Sequence, residues 1–241
     1  MGKQELLYEG KAKKIYATED PEVVHVEYKD SATAFNGEKK ATITGKGRLN
    51  NEITSLLFDH LREAGIESHF IEKVSETEQL VKRVTIVPLE VVVRNVAAGS
   101  FSRRTGVDEG KLLKQPLVEF YYKNDDLGDP LLTIDHVLEL ELADEDTVQD
   151  LKERALEVND RLQSYFLERD VTLVDFKLEF GVTPSGELML ADEISPDTCR
   201  LWDRKTNEKL DKDVFRRDIG NLTEAYEKIL TRLGGSASCT K

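Results

Sequence analysis

The chain has 241 residues, 39% of them hydrophobic and 34% charged, and its 34 basic against 47 acidic side chains leave a net charge of −13. No run approaches the roughly 20 apolar residues of a membrane helix, the opening residues lack the apolar run of a secretion signal, and an acid excess argues against extended nucleic-acid binding, which needs a basic face. What remains is one large domain or two small ones in a reducing cytoplasm, because Cys199 and Cys239 form no CxxC pair and His25, His60, His69 and His136 are not spaced as zinc ligands.

In chain order, residues 6–8, 15–17 and 23–28 read as strands, with Gly10-Lys11-Ala12-Lys13 at a hairpin turn. Leu49, Ile53, Leu56, Leu57 and Leu61 fall at helical spacing, and Gly65 is the stop. Residues 79–87 and 89–96 read as strands separated by Pro88, which has no amide hydrogen to give to a ladder. Pro88 is therefore the expected joint between a β-rich lobe of residues 1–88 and a second lobe of residues 89–241. Residues 117–123 read as a strand and 124–130 as a polar loop. Asp144 opens a long helix whose apolar face is Val148, Leu151, Ala155, Val158, Leu162 and Phe166, and the acidic run at its start complements the helix dipole. Residues 171–180 and 187–194 form a hairpin around Pro184-Ser185-Gly186, a last helix covers 213–233, and the tail after it is expected to fray. Strands cluster early and helices come late, which predicts α+β rather than a doubly wound parallel sheet.

Four segments carry chemistry. In 171–181 (VTLVDFKLEFG), strand alternation puts Thr172, Val174, Phe176, Leu178 and Phe180 on one face and Val171, Leu173, Asp175, Lys177 and Glu179 on the other. A solvated strand face gives the same pattern. If the hairpin closes with Thr183 opposite Leu188, Glu179 faces Asp192; a one-residue slip brings Glu193 there instead. Opposed carboxylates repel unless a cation lies between them, and Mg²⁺ on phosphates takes one or two such groups; the alternative is two solvent-exposed acids. Lys177 either neutralises its neighbours or holds a substrate phosphate or carboxylate. In 88–100 (PLEVVVRNVAAGS) an apolar strand ends at Arg94-Asn95, followed by small residues, Ser100 and Arg103-Arg104. This is an anion pocket or a plain turn with surface arginines. In 194–202 (ISPDTCRLW) Arg200 can reach the same place; Trp202 reads as packing, and Cys199 has no histidine nearby to activate it. Gly10-Lys11-Ala12-Lys13 lacks P-loop spacing, yet lysines on a flexible tip can cover nucleotide phosphates.

Together GKAKKIY, VPLEVVVRNVAAGS, LVDFKLEFG, ADEISPDTCRLWD and DKDVFRRDIG, spanning residues 10 to 220, resemble the SAICAR synthetase family of purine biosynthesis. The resemblance implies a two-lobed α+β fold related to ATP-grasp and kinase-like folds, with antiparallel sheets and flanking helices. It implies a ligase that joins L-aspartate to the carboxylate of the aminoimidazole ribotide CAIR, consuming ATP and giving SAICAR, ADP and phosphate. It implies Lys11, Ala12, Lys13, Lys82 and Glu179 around ATP, Mg²⁺ on Glu179 and Asp192, the ribotide on Arg94, Ser100 and Arg200, and Asp175 and Lys177 at the reaction centre. A homodimer is also implied. Where some relatives carry Asp-Gly this chain has Asn36-Gly37, so a carboxylate is missing there. The competing readings are a small-molecule kinase on the same scaffold and a non-catalytic nucleotide-binding regulator.

Overall fold

The computed structural model describes residues 2–34 and 37–236. Strands β1 (Leu6–Glu9), β2 (Lys13–Ala17) and β3 (Val23–Tyr28) form the expected early meander. A hairpin of β4 (Ser31–Ala34) and β5 (Lys39–Thr42) follows, then helix α1 (Lys46–Glu63), β6 (Phe70–Lys73), β7 (Glu78–Lys82) and β8 (Thr85–Val96). The second half runs α2 (Gly99–Thr105), β9 (Leu112–Tyr122), β10 (Leu131–Leu132), α3 (Ile134–Glu139), α4 (Glu145–Leu167), β11 (Val171–Val182), β12 (Leu188–Ala191), β13 (Cys199–Asp203), α5 (Asp213–Arg216) and α6 (Leu222–Arg232). Apart from the two-stranded β4–β5 hairpin, two larger antiparallel sheets form. The first has the order β1-β2-β3-β7-β6; the second has β10-β9-β8-β11-β12, with β13 sharing the β12 edge of β11. Among the described residues no helix is long and apolar enough to cross a membrane.

The main core lies between the second sheet and helices α1, α4 and α6. The predicted stripe of α4 is buried along its length, from Val148 to Phe166. Asp144 caps it, accepting from the Thr147 amide at 2.8 Å. Leu49, Ile53, Leu57 and Leu61 bury the matching face of α1. Each such side chain taken from water contributes about 1.5–3 kcal/mol, which holds the sheet's other face in place for the site.

Pro88 does not separate two strands. β8 runs through it, and the chain crosses from the first sheet to the second at Arg83 and Val84. Opposite Pro88 the ladder to β11 shifts register, between the pairs Glu179↔Glu90 and Gly181↔Ile86. A bulge of this kind needs no amide from the proline. The face assignment of β11 also changes. A bulge between Leu173 and Asp175 in the pairing with β13 reverses the alternation. Val171 and Leu173 therefore join Phe176, Leu178 and Phe180 in the main core, while Val174 packs with Val96, Ala98 and Trp202 on the opposite side. The single helix expected over 213–233 is two helices. Asp218 (φ 54°) turns the chain left-handed between them, and Asn221 caps α6 by accepting from the Thr223 amide at 2.9 Å.

Candidate active site

Three adjacent strands of the second sheet place one acid between two arginines. Asp175 on β11 is paired with Arg94 on β8 and with Arg200 on β13. Arg94 Nη1 donates to Asp175 Oδ2 at 2.7 Å, and Arg200 Nη1 donates to the two Asp175 oxygens at 3.1 and 2.9 Å. Arg94 uses three more of its donors on Glu119 Oε2 (2.8 Å), Ser100 Oγ (3.0 Å) and the Tyr121 hydroxyl (3.0 Å). Arg104, read from sequence as part of the anion loop, supports the same cluster through Glu119 and Tyr121. The small-residue segment begins α2 rather than staying a loop. Gly99 sits there at φ 54°, and a Cβ on it would collide with the Arg200 guanidinium. A side chain there would displace that guanidinium, and the left-handed backbone favours glycine.

One step along the sheet the charges reverse. Glu179 is directly opposite Glu90, an unfavourable pair on its own. Lys177 lies between them, with Nζ 2.6 Å from Glu179 and 3.0 Å from Glu90. Lys123, at the end of β9, adds a second ammonium 2.9 Å from Glu179. Burial opposes the charge on Lys177, but Glu179 and Glu90 outweigh it and hold its pKa well above the ordinary lysine value.

The hairpin register differs from the one expected. Glu179 faces Ala191, not Asp192 or Glu193. Asp192 comes just past the end of β12 in a left-handed conformation, φ 61°. Strand register does not oppose the two acids, yet both line one cavity. Asp192 is bonded to Lys13, and Glu193 lies 3.4 Å from the same ammonium. Burial opposes ionisation of Asp192, yet Lys13 and Lys177 outweigh it and hold the carboxyl far below its usual range.

Two cavities share Lys177. The first, about 620 Å³, lies between the sheets; Lys11, Ala12, Lys13, Lys82, Glu179 and Asp192 line it, as do the apolar side chains of Ile15, Val24, Val26, Val81 and Ile86. The second, about 390 Å³, is lined by Arg94, Ser100, Asp175 and Arg200. Lys11 and Ala12 reach both. The residues to which the resemblance gave roles thus line one cleft, whereas Arg103 and Arg104 line neither cavity. Sequence reasoning missed Glu90, Lys123, Lys212 and Arg216, which also line the cleft, as does Glu193, named there only as the alternative to Asp192. Glu90 was accessible, since it shares a face with Arg94 by strand alternation. Lys123, Lys212 and Arg216 lie outside the strands that carry the pattern and gave no periodic signal. Asn36 lies outside the described residues.

Buried supports stand behind the second cavity. Asp213 accepts from Arg200 Nε at 3.0 Å; burial opposes its ionisation, but Arg200 and Arg216 hold its carboxyl down at about 2. Asp197 accepts from Lys46 Nζ at 2.6 Å and from the Tyr226 hydroxyl at 2.5 Å, tying its loop to α1 and α6. Cys199 is buried, and burial pushes its thiol far up. Trp202 packs as expected, with Lys209 Nζ 3.1 Å from its ring centre.

Among the described residues no group of three or more His, Cys, Asp or Glu side chains is set to hold a metal. Glu179 and Asp192 nonetheless line the first cavity with carboxylate oxygens, the kind of ligand a hard divalent cation takes. Lysines beside them can trade a carboxylate for a phosphate oxygen. Chemically, the cleft can bind a polyphosphate next to an anionic acceptor.

The comparisons agree with this geometry. Residues 6–233 match the family model described as SAICAR synthetase. A phosphoribosylaminoimidazole-succinocarboxamide synthase from Anoxybacillus flavithermus is 67% identical over 241 residues, covering 100% of both chains. The crystal structure of the synthase from Ehrlichia chaffeensis superposes with a TM-score of 0.94 at 46% identity, covering 97% of this chain and 100% of its own. A SAICAR synthetase solved in complex with ADP superposes with a TM-score of 0.92 at 48% identity, covering 96% of this chain and 98% of its own. The chain therefore belongs to the SAICAR synthetase family.

Proposed function

We propose that the two cavities hold the reactants of this ligase side by side, ATP in the first and CAIR in the second, with the reaction at Lys177 where they meet. The enzyme joins L-aspartate to the CAIR carboxylate and releases SAICAR, ADP and phosphate. The observation that carries the site reading is the pair of adjacent rows, Arg94–Asp175–Arg200 and Glu90–Lys177–Glu179, facing one cleft.

A carboxylate is a poor electrophile and must be activated before an amine can attack it. In the first step the CAIR carboxylate oxygen takes the γ-phosphoryl group, its bond to ADP breaks, and an acyl phosphate forms. In the second the aspartate amine attacks the acyl carbon, and phosphate leaves with one former carboxylate oxygen. Positioning and charge neutralisation dominate the first step. Lys13 and Lys177 supply fixed positive charge; Lys11 and Ala12 cover the phosphates from the hairpin tip. Glu179 and Asp192 would hold Mg²⁺, whose chemistry is to neutralise phosphate oxygens. Arg94, Ser100 and Arg200 bind and orient the ribotide. Asp175 has both oxygens committed to arginines, so its role is to fix those guanidinium planes, and the amine's proton leaves on the released phosphate. Lys82 lies at the crossing between the sheets, beside the apolar wall suited to adenine. The first sheet acts as the nucleotide lobe, with its boundary at that crossing. A homodimer is supported by Leu131, Ile134, Leu138 and Leu140, apolar side chains left exposed within a short stretch. A cytoplasmic location accords with the metabolism such an enzyme serves.

A coupled ADP assay with each substrate omitted in turn tests the assignment. ADP release is expected only with ATP, CAIR and L-aspartate all present. Release that ignores aspartate would turn the protein into a kinase, and no release at all would make it a nucleotide-binding regulator. CAIR labelled with ¹⁸O in its carboxylate should pass one labelled oxygen to phosphate; unlabelled phosphate would remove the acyl-phosphate step.

A further inference from the structure

His69 is the buried histidine that lies against the nucleotide-side cavity, and no step above uses it. Its position is fixed from three sides. Its amide donates to the Leu190 carbonyl at 2.8 Å, and its own carbonyl accepts from the Lys82 amide at 2.7 Å. Its ring meets Phe58 edge-on, with centroids 5.7 Å apart. Ring nitrogen Nε2 then lies 3.1 Å from the backbone carbonyl of Asp192. A carbonyl can only accept, so Nε2 carries the hydrogen. Asp192 is the non-glycine residue turned left-handed at the end of β12. Such a conformation persists only where surrounding contacts hold it, and it is often kept where function needs it.

We infer that His69 is a positioning residue that holds Asp192 in its left-handed turn by donating Nε2–H to the Asp192 carbonyl, which keeps the carboxylate in the cavity. The bond joins the residue before β6, in the first sheet, to the acid at the end of β12, in the second. Through the Lys82 amide the same residue touches the crossing between the sheets. His69 thereby couples the wall of the nucleotide cavity to one of its carboxylates. Nε2 is a donor in the Nε2–H tautomer and in the imidazolium alike, so the bond does not depend on the charge of the ring. The inference rests on the reading of Asp192 as a magnesium-side carboxylate.

Two measurements test it. In ¹⁵N spectra of histidine-labelled wild-type protein, His69 Nε2 should carry a hydrogen at the assay pH; an Nε2 without one, as in the Nδ1–H tautomer, would overturn the inference without touching the activity. In the coupled assay His69→Leu, which keeps bulk and loses the donor, should raise the Mg²⁺ concentration for half-maximal rate about tenfold or more, the usual effect of losing an outer-shell partner. His69→Gln, whose amide nitrogen occupies the Nε2 place, should recover most of that loss, with KM for CAIR unchanged in both. A native Mg²⁺ requirement in His69→Leu, no rescue by glutamine, or an equal rise in every KM would each overturn the inference. His69→Asn, whose amide reaches only the Nδ1 place, takes the part of the leucine variant if that one does not fold. The wild-type substrate-omission assay separates this outcome from failure of the ligase reading.

Discussion

The two halves of the cleft neutralise most of their acids with different cations. On the nucleotide side lysines face carboxylates: Lys13 with Asp192, Lys123 and Lys177 with Glu179, Lys11 with Asp125. Around the second cavity arginines hold Asp175 and Asp213, through Arg94 and Arg200 on the first and Arg200 and Arg216 on the second, while Asp197 is paired with Lys46 and Lys212. An ammonium is a compact point charge on a flexible stem, whereas a guanidinium is a flat fork whose bonds set direction. On the proposed reading, the lysines exchange partners when phosphates arrive. The arginine side is locked before any ligand arrives, because Arg94 already engages Asp175, Glu119, Ser100 and Tyr121.

The most severe test is Lys177→Ala, since Lys177 serves both cavities. Turnover should fall by about 10³-fold or more, in line with loss of a preorganised charge at the reacting centre. The fold should survive, because Glu179 keeps Lys123 as a partner. ADP release and thermal melting check the two halves of this statement, and a near-native rate would take Lys177 out of the mechanism.

Arg94→Lys probes whether direction or charge matters on the ribotide side. A lysine cannot reproduce the fork, so kcat/KM for CAIR should drop roughly 100-fold. Lys123→Arg is the converse on the nucleotide side and should cost no more than about fivefold. Equal losses in the two variants would erase the contrast.

Asp211 offers a pH test confined to the arginine side. Its oxygens accept from the amides of Leu201 and Asp213. Burial, then the Asp213 carboxylate, pushes it up to about 7. The unfolded chain releases this proton near pH 4, so the contribution is complete below that value and disappears as pH rises through 7. Wild-type melting temperature should fall roughly 3 °C more between pH 5 and pH 8 than that of Asp211→Asn. Parallel curves would show that Asp211 does not titrate there. Asp213, held at about 2, loses its contribution only under acid, as pH drops below about 4.

The smallest effect belongs to Lys11→Ala. Its pair with Asp125 is exposed, and exposed pairs are worth little. KM for ATP should rise about threefold with kcat unchanged, in steady-state kinetics at fixed CAIR and aspartate.

Much of this was legible before the fold was known. The apolar stripes of α1 and α4, the early meander and the Asp175-Lys177-Glu179 face follow from side-chain spacing, because a regular backbone repeats at 3.6 or 2 residues. The two β11 bulges, the break before α6 and the turn at Asp192 did not show, because each depends on what lies across from it. Pro88 illustrates the difference. Its missing amide hydrogen is a local fact, but whether that breaks a strand depends on the neighbouring ladder, which here bulges at that point.

The sequence by itself determined which side chains have the chemistry and which faces of the helices must be buried, since composition and periodicity are properties of the chain alone. Only the tertiary structure decided which acid meets which base. Lys13 and Asp192 come from opposite ends of the chain, as do Lys46 and Asp197, and Asp175 meets Arg94 and Arg200 only because β8 and β13 flank β11. Such partners are chosen by sheet order and by bulges that reset the alternation, and these are settled when the whole core packs.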